Sequence, residues 1–356
     1  MQMKKYVLLL AIASLAFAMP NYEGTMGLFR TISADNGSAG TFGFGFYLRG
    51  FKEDRIADTP NDGVGPFGGD ATYGGGDFGF SIGYAPTDWF SFNVASVFYA
   101  EGIDYQDTDT NRASVGFGDT KVGLKFNFGK ESIKYGLYTF VSIPTGADRD
   151  TTGLLADEVV KYPIFNETYT NPGGLYRYFS SDAVDFGGVG LFTARAGNFQ
   201  FDLNLGYVFR NAEGGGMRDN ATIYNAAISL HTAGIIPFVE LSAIDYSGKD
   251  QFFTIFDDSL FGPNQVYITP GVSFRPSKNF HINFAVDFRA WEGENELAFP
   301  TAQTDSFNIT TGWGVAPPWA GIFGFSYTAD FMPEPVFGDI AGKILDDESG
   351  ANLVAN

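Results

Sequence analysis

From Asn198 to Arg210 the chain alternates without interruption. Phe199, Phe201, Leu203, Leu205, Tyr207 and Phe209 share one parity, while Gln200, Asp202, Asn204, Gly206 and Arg210 share the other. A period of two belongs to a strand, in which i, i+2 and i+4 line one face; a helix would scatter both sets around its axis. The pattern recurs in Phe42, Phe44, Phe46 and Leu48 against Gly43, Gly45, Tyr47 and Arg49. It recurs again in Phe280, Ile282, Phe284, Val286 and Phe288 against His281, Asn283, Asp287 and Arg289. Residues 90–94, 134–143 and 266–275 follow the same rule.

Alternation alone does not separate a soluble sandwich from a barrel in lipid, because exchanging inside and outside turns one into the other. Length and connection rhythm do. Sandwich strands run about 5 to 6 residues, whereas these runs approach the ~10 residues that cross a bilayer at a tilt. Short connections at 86–88, 129–131, 197–198, 233–234 and 276–278 alternate with long ones near 52–76, 101–113, 147–182, 211–220, 247–264 and 292–317. Tight periplasmic turns and longer extracellular loops are the outer-membrane pattern, and six long loops imply about twelve strands with both chain ends periplasmic. The acidic excess falls in the long set, as at Asp54, Asp58, Asp62, Asp70, Asp104, Asp257 and Asp258. Phe307 to Val315 reads either as loop or as an extra strand segment above the last hairpin. The fold class is therefore all-β, a transmembrane antiparallel up-and-down barrel.

The N-terminus fits that route. Lys4 and Lys5 precede an apolar run from Tyr6 to Phe17, and Ala16-Phe17-Ala18 supplies a small-x-small cleavage pattern. Such a segment reads as a signal peptide over residues 1–18, too short for a bilayer-spanning helix of roughly 20 residues. The barrel then occupies residues 19–332 and a periplasmic tail residues 333–356. The chain has no Cys, 46 Gly and 17% aromatic residues. That composition is unusual for a secreted domain held by disulfides and suits a barrel whose closed ladder replaces them. A net charge of −19 leaves no basic stripe for nucleic acid. Outer-membrane lipid and the barrel-assembly machinery are the expected partners, and the destination is the bacterial outer membrane. No pattern in the chain sets an oligomeric state.

Two segments carry a resemblance. Gly27-Leu28-Phe29-Arg30 and Ser33-Ala34-Asp35, ahead of the Gly/Phe strand, resemble the mature N-terminus of barrel domains in multidomain proteins similar to the outer membrane protein A family. Gly118-Asp119-Thr120-Lys121-Val122-Gly123-Leu124-Lys125 looks like a strand common to those barrels and to related outer-membrane transporters. The resemblance implies a barrel over residues 24–332. The closing strand, ending at Phe331, resembles the C-terminal signal read by the assembly machinery. After it, Phe337 to Gly350 resembles the opening of a carboxypeptidase-regulatory-like sandwich. Trp89, Trp291, Trp313 and Trp319 lie near strand ends, where interfacial belts form.

Parity places Arg49, Lys121, Lys125, Lys134, Asp202, Arg210, Glu240, Arg275, His281, Asp287, Arg289 and Asp330 on the lumen side. On a lipid face a charge would cost roughly 2–4 kcal/mol near the midplane. Catalysis is not supported. The histidines are His231 and His281 alone, with no nucleophile arrangement beside them. No cofactor is implied. Asp107 and Asp109 begin a calcium-loop pattern that Arg112 and Gly118 break, which leaves a weak cation site at most. These observations imply a narrow channel or transporter for small solutes or ions. The alternative is a structural or surface-interaction barrel with a closed, salt-bridged lumen.

Overall fold

The computed structural model describes residues 21–57, 69–105, 110–130, 132–146, 160–162, 167–169, 184–209, 220–246, 265–277, 279–292, 297–300, 306–309, 318–331, 344–345 and 352–353. The signal segment 1–18, Asp107, Asp109, Arg210, Trp313 and most of the tail lie outside the described residues.

The first barrel strands are β1 (Thr41–Ala57), β2 (Gly69–Ala85), β3 (Phe90–Tyr105), β4 (Thr110–Phe117), β5 (Thr120–Lys130) and β6 (Ile133–Ile143). A short hairpin, β7 (Val160–Tyr162) with β8 (Glu167–Tyr169), belongs to the connection that follows. The wall resumes with β9 (Asp185–Ala196), β10 (Phe199–Phe209), β11 (Ala221–Leu230), β12 (Ile235–Tyr246), β13 (Gln265–Ser277) and β14 (Phe280–Glu292). A second hairpin, β15 (Leu297–Pro300) with β16 (Ser306–Ile309), precedes the closing strand β17 (Trp319–Asp330). The tail contributes the two-residue pair β18 (Ile344–Leu345) and β19 (Asn352–Leu353).

All wall pairings are antiparallel. β4 and β5 lie end to end beside β3, β4 on its upper half and β5 on its lower half, so they fill one position. β1 pairs with β2 on one side and β17 on the other, from Thr41↔Asp330 to Gly50↔Gly321. The result is a closed wall of twelve strand positions. Closure satisfies every edge through a neighbour, as a wall in lipid requires.

Two long connections are shorter than the sequence pattern implies. β1 and β2 continue to Ala57 and Gly69, so Asp54 and Asp70 sit in paired strands. β3 and β4 pair up to Tyr105↔Thr110, so only residues 106–109 separate them. Gly-rich stretches such as Gly74-Gly75-Gly76 break the alternation there, and ladder pairing carries the strands onward. The segment around Phe307 is strand in part, as β16.

The wall is inside-out relative to a soluble protein. Leu205 and Phe128 are about three-fifths exposed on the outer face, while Lys125, Glu240, Asn283 and Asp287 are wholly buried on the inner one. Large exposed apolar side chains continue around the barrel, and such a surface belongs against lipid rather than water. Trp89 lies at the short-turn end and Trp291 and Trp319 at the other, each about half exposed, so two aromatic edges bound the apolar band. Inward glycines make room for lumen aromatics: a side chain at Gly324 would strike the Tyr47 ring, and one at Gly123 the Tyr138 ring.

Candidate functional site in the barrel lumen

Residues 21–40 run inside the barrel. This plug has neither the alternation of a strand nor the period of a helix, and it folds into a compact turn. Leu28 N–H donates to Thr31 O at 2.9 Å, Ser33 N–H donates to Met26 O at 2.9 Å, and Gly27 bridges Ile32. Gly24 (φ +77°) sits in the left-handed region against the β2 wall. Opposite it, Gly83 has no side chain, which lets the Gly24 carbonyl approach the sheet.

Two inward carboxylates hold the tip of the turn. Glu240 on β12 accepts the backbone N–H groups of Phe29 (3.2 Å), Arg30 (3.1 Å) and Thr31 (2.8 Å). Asp287 on β14 accepts Arg30 Nη1 (2.9 Å) and Nη2 (2.5 Å), Arg49 Nε (2.9 Å) and Thr269 Oγ1 (2.6 Å). Burial works against the Arg30 charge, but Asp287 outweighs it and raises the guanidinium above its ordinary range. A fork-on-carboxylate pair with every lone pair occupied is the geometry in which a buried ion pair holds. Phe29 packs on Tyr22, Tyr47 and Phe238 with ring centroids 5.6–5.9 Å apart, closing the lumen beside this anchor with aromatic rings.

Cations on β5, β6 and β9 hold the other side. Lys125 Nζ donates to the carbonyls of Ser33 (3.0 Å) and Asp35 (2.6 Å). Asp35 accepts Lys134 Nζ on one oxygen (2.8 Å) and Arg195 Nη2 on the other (2.7 Å). Burial pushes the Asp35 carboxyl up, but Arg195 and Lys134 outweigh it and hold it at about 2. Lys121 pairs with Glu23 at 2.8 Å.

Uncharged groups complete the ring. Asn204 on β10 brackets Ile32, accepting its N–H and donating to its C=O, both at 2.7 Å. Thr193 Oγ1 accepts Ala34 N–H (2.8 Å), Ser81 donates to Asn21 O (3.1 Å), Ser91 to Asn36 (2.9 Å) and Asn225 to Arg30 O (3.2 Å). With Ser38 donating to Asp330 on β17 at 3.2 Å, the plug touches wall strands around the whole circumference.

Arg49, Lys121, Lys125, Lys134, Asp202, Glu240, Arg275, His281, Asp287 and Arg289 lie on the same strand parity as the buried inner-face residues. Asp202 is spoken for by Thr193 Oγ1 (2.5 Å) and Gln200 Nε2 (2.8 Å), and His281 lies 3.3 Å from Ser273 Oγ. Asp330 shares the inner parity of β17 but is exposed at the short-turn rim, where it accepts Thr41 Oγ1 at 2.8 Å across the β1–β17 seam. The expectation that wall charges either pair with each other or line an open path omitted a third party. Lys121, Lys125, Lys134, Glu240 and Asp287 bind the plug, and its Glu23, Arg30 and Asp35 are charged contacts that alternation could not flag. Twenty-odd residues with no strand pattern between a signal segment and β1 were the available hint.

No group of three or more His, Cys, Asp or Glu suited to a metal occurs among the described residues. No family model matches the sequence, and no curated protein does. Solved structures with a similar outline include an outer-membrane channel from Pseudomonas putida F1, 10% identical, covering 82% of this chain and 96% of that one at a TM-score of 0.48. The NanC porin is 7% identical over 79% of this chain and 98% of its own, at a TM-score of 0.41. The translocator domain of the autotransporter NalP from Neisseria meningitidis is 9% identical over 83% and 90%, at 0.39. The barrel described above stands on its own strand pairings.

Proposed function

We propose that this protein is a channel for small solutes or ions in the bacterial outer membrane, closed in the state described here by the peptide of residues 21–40. In this reading residues 1–18 are removed on export, the short turns face the periplasm, lipid surrounds the apolar band, and the assembly machinery reads the strand ending at Phe331. No catalytic step belongs to it. The observation that carries it is the identity of the plug's partners. Glu240 takes three plug N–H groups, and Lys125 takes two plug carbonyls. A wall furnished to hold a peptide becomes a polar, charged passage when that peptide moves.

A permanently closed structural barrel is the second reading, favoured by the complete burial of Asp287 and Glu240. Ser33 Oγ and Thr193 Oγ1 lie 3.2 Å apart, and the chain has no cysteine of its own, so Ser33→Cys with Thr193→Cys ties plug to wall, with Thr193→Cys alone as the control for the lost Ala34 and Asp202 contacts. In a planar bilayer the oxidised double variant is expected to be silent and the reduced one to show discrete conductance steps. Silence in both redox states sinks the channel reading. Equal conductance in both, with the disulfide confirmed by mass, sinks the plug as its gate.

A further inference from the structure

The plug's contacts are sorted by charge. Its cation, Arg30, and the N–H groups of its turn face the β12–β14 wall, where Glu240 and Asp287 stand. Its carboxylates, Glu23 and Asp35, and the carbonyls of Ser33 and Asp35 face β5, β6 and β9, where Lys121, Lys125, Lys134 and Arg195 stand. These four cations form a strip. Lys121 and Lys125 are four residues apart on one face of β5, a rise of about 13 Å. Lys134 pairs in register with Thr193, placing its ammonium beside Arg195 near the short turns. The carboxylate next to the strip, Asp202, has both oxygens occupied by Thr193 and Gln200.

We propose that, with the plug displaced, this strip is the binding site for a carboxylate-bearing solute, and that the plug occupies it as a built-in imitation of that solute. The proposal rests on the channel reading and specifies its cargo. At Asp35 the strip already displays the recognition chemistry: one carboxylate, each oxygen taken by a different cation at 2.7–2.8 Å. Lys125, wholly buried, donates to two further oxygens just above, and Lys121 grips a second carboxylate higher still. An incoming dianion would find two cationic stations on one side. On the opposite wall Asp287 keeps Arg49 as its partner, and Glu240, which loses the plug N–H groups, repels a dianion toward these stations.

Arg30→Ala, which removes the plug's side-chain hold on Asp287 and leaves the strip and Thr193 intact, provides the open state. In a potassium chloride gradient its reversal potential is expected to lie on the chloride side. Succinate is expected to block the current where neutral succinamide does not. Lys134→Gln with Arg195→Gln is expected to raise the half-blocking succinate concentration tenfold or more, while Lys134→Arg retains the block. Cation selectivity, equal block by succinamide, or block indifferent to the double glutamine change overturns the strip as a carboxylate site while leaving the channel standing. Silence of well-inserted Arg30→Ala protein removes the channel, and this inference with it.

Discussion

Glu240 and Asp287 on one side of the lumen are wholly buried, whereas the side chains of Lys121, Lys134 and Arg195 on the other keep 37%, 23% and 20% of their surface exposed. Both walls bind the same short peptide. The acidic wall binds it with saturated, dry carboxylates, each receiving three or four donors. Apart from the wholly buried Lys125, the basic wall binds it with long, partly wetted side chains. A dry contact is costly to break from one side only, because it strands a charge. A wetted one can exchange partners with water or solute at little cost. The acidic wall therefore anchors the plug, and the basic wall is where another anion can compete with it.

The largest expected effect tests the anchor. Asp287→Ala strands Arg30 and leaves Arg49 with Asp77 as its remaining carboxylate, a loss of about 3–5 kcal/mol for a buried pair broken on one side. Thiol labelling of Ser33→Cys, buried while the plug is seated, should then speed up by roughly a hundredfold or more at 1.4 kcal/mol per decade. An unchanged rate would mean that the plug is not held by this wall. A smaller effect is expected from Lys125→Met, which leaves the carbonyls of Ser33 and Asp35 without their charged donor. About 1.5–3 kcal/mol, or roughly ten- to hundredfold in the same labelling, is the range for a hydrogen bond to a charged group. A loss matching Asp287→Ala would erase the distinction between the walls.

The smallest effect is in pH. The Asp35 carboxyl is lowered from 3.8 to about 2, so its contribution is complete above pH 3.8 and is lost as pH falls through about 2. Amide exchange at residues 33–37, corrected for intrinsic rate, should stay protected at pH 5 and weaken toward pH 2. In Lys134→Gln the weakening should begin at higher pH, since one of the two cations holding the carboxyl down is gone. A flat profile in both proteins would show that the basic wall does not hold the plug through Asp35.

Much of the barrel was legible because one property, side-chain parity, decides both strand and facing. Lys125, Glu240 and Asp287 could be placed in the lumen from their neighbours alone. The upper ends of β1 to β4 were not legible, since they run through glycine- and aspartate-rich sequence where pairing rather than hydrophobic alternation keeps them extended. The break between β4 and β5 falls on Gly118-Asp119, the first two residues of what the motif presented as a strand, and the strand begins at Thr120. The plug was beyond reach for a different reason. Its conformation is set by side chains as far as 257 positions away, as with Arg30 and Asp287, and no local period encodes such a partnership. Parity could say that Glu240 needs partners inside, but not that they are backbone N–H groups from residues 29–31.

The seam between β1 and β17 has a consequence for assembly. The plug leads directly into β1 through Gly40, which donates to Ala85 O and accepts Phe331 N–H at the rim. Its binding groups are spread over strands made from the first to the last quarter of the chain. Either the sheet curls around the peptide before the two end strands meet, or the peptide is fed into a finished cylinder through its mouth. In the first order of events the earliest-made segment serves as a mandrel, gathering Lys125, Asn204, Glu240 and Asp287 to the inside in turn. The final ladder from Thr41↔Asp330 to Gly50↔Gly321 then seals the lumen over its own template. Contacts this distant in sequence make closure slow, and a template present from the start shortens that search.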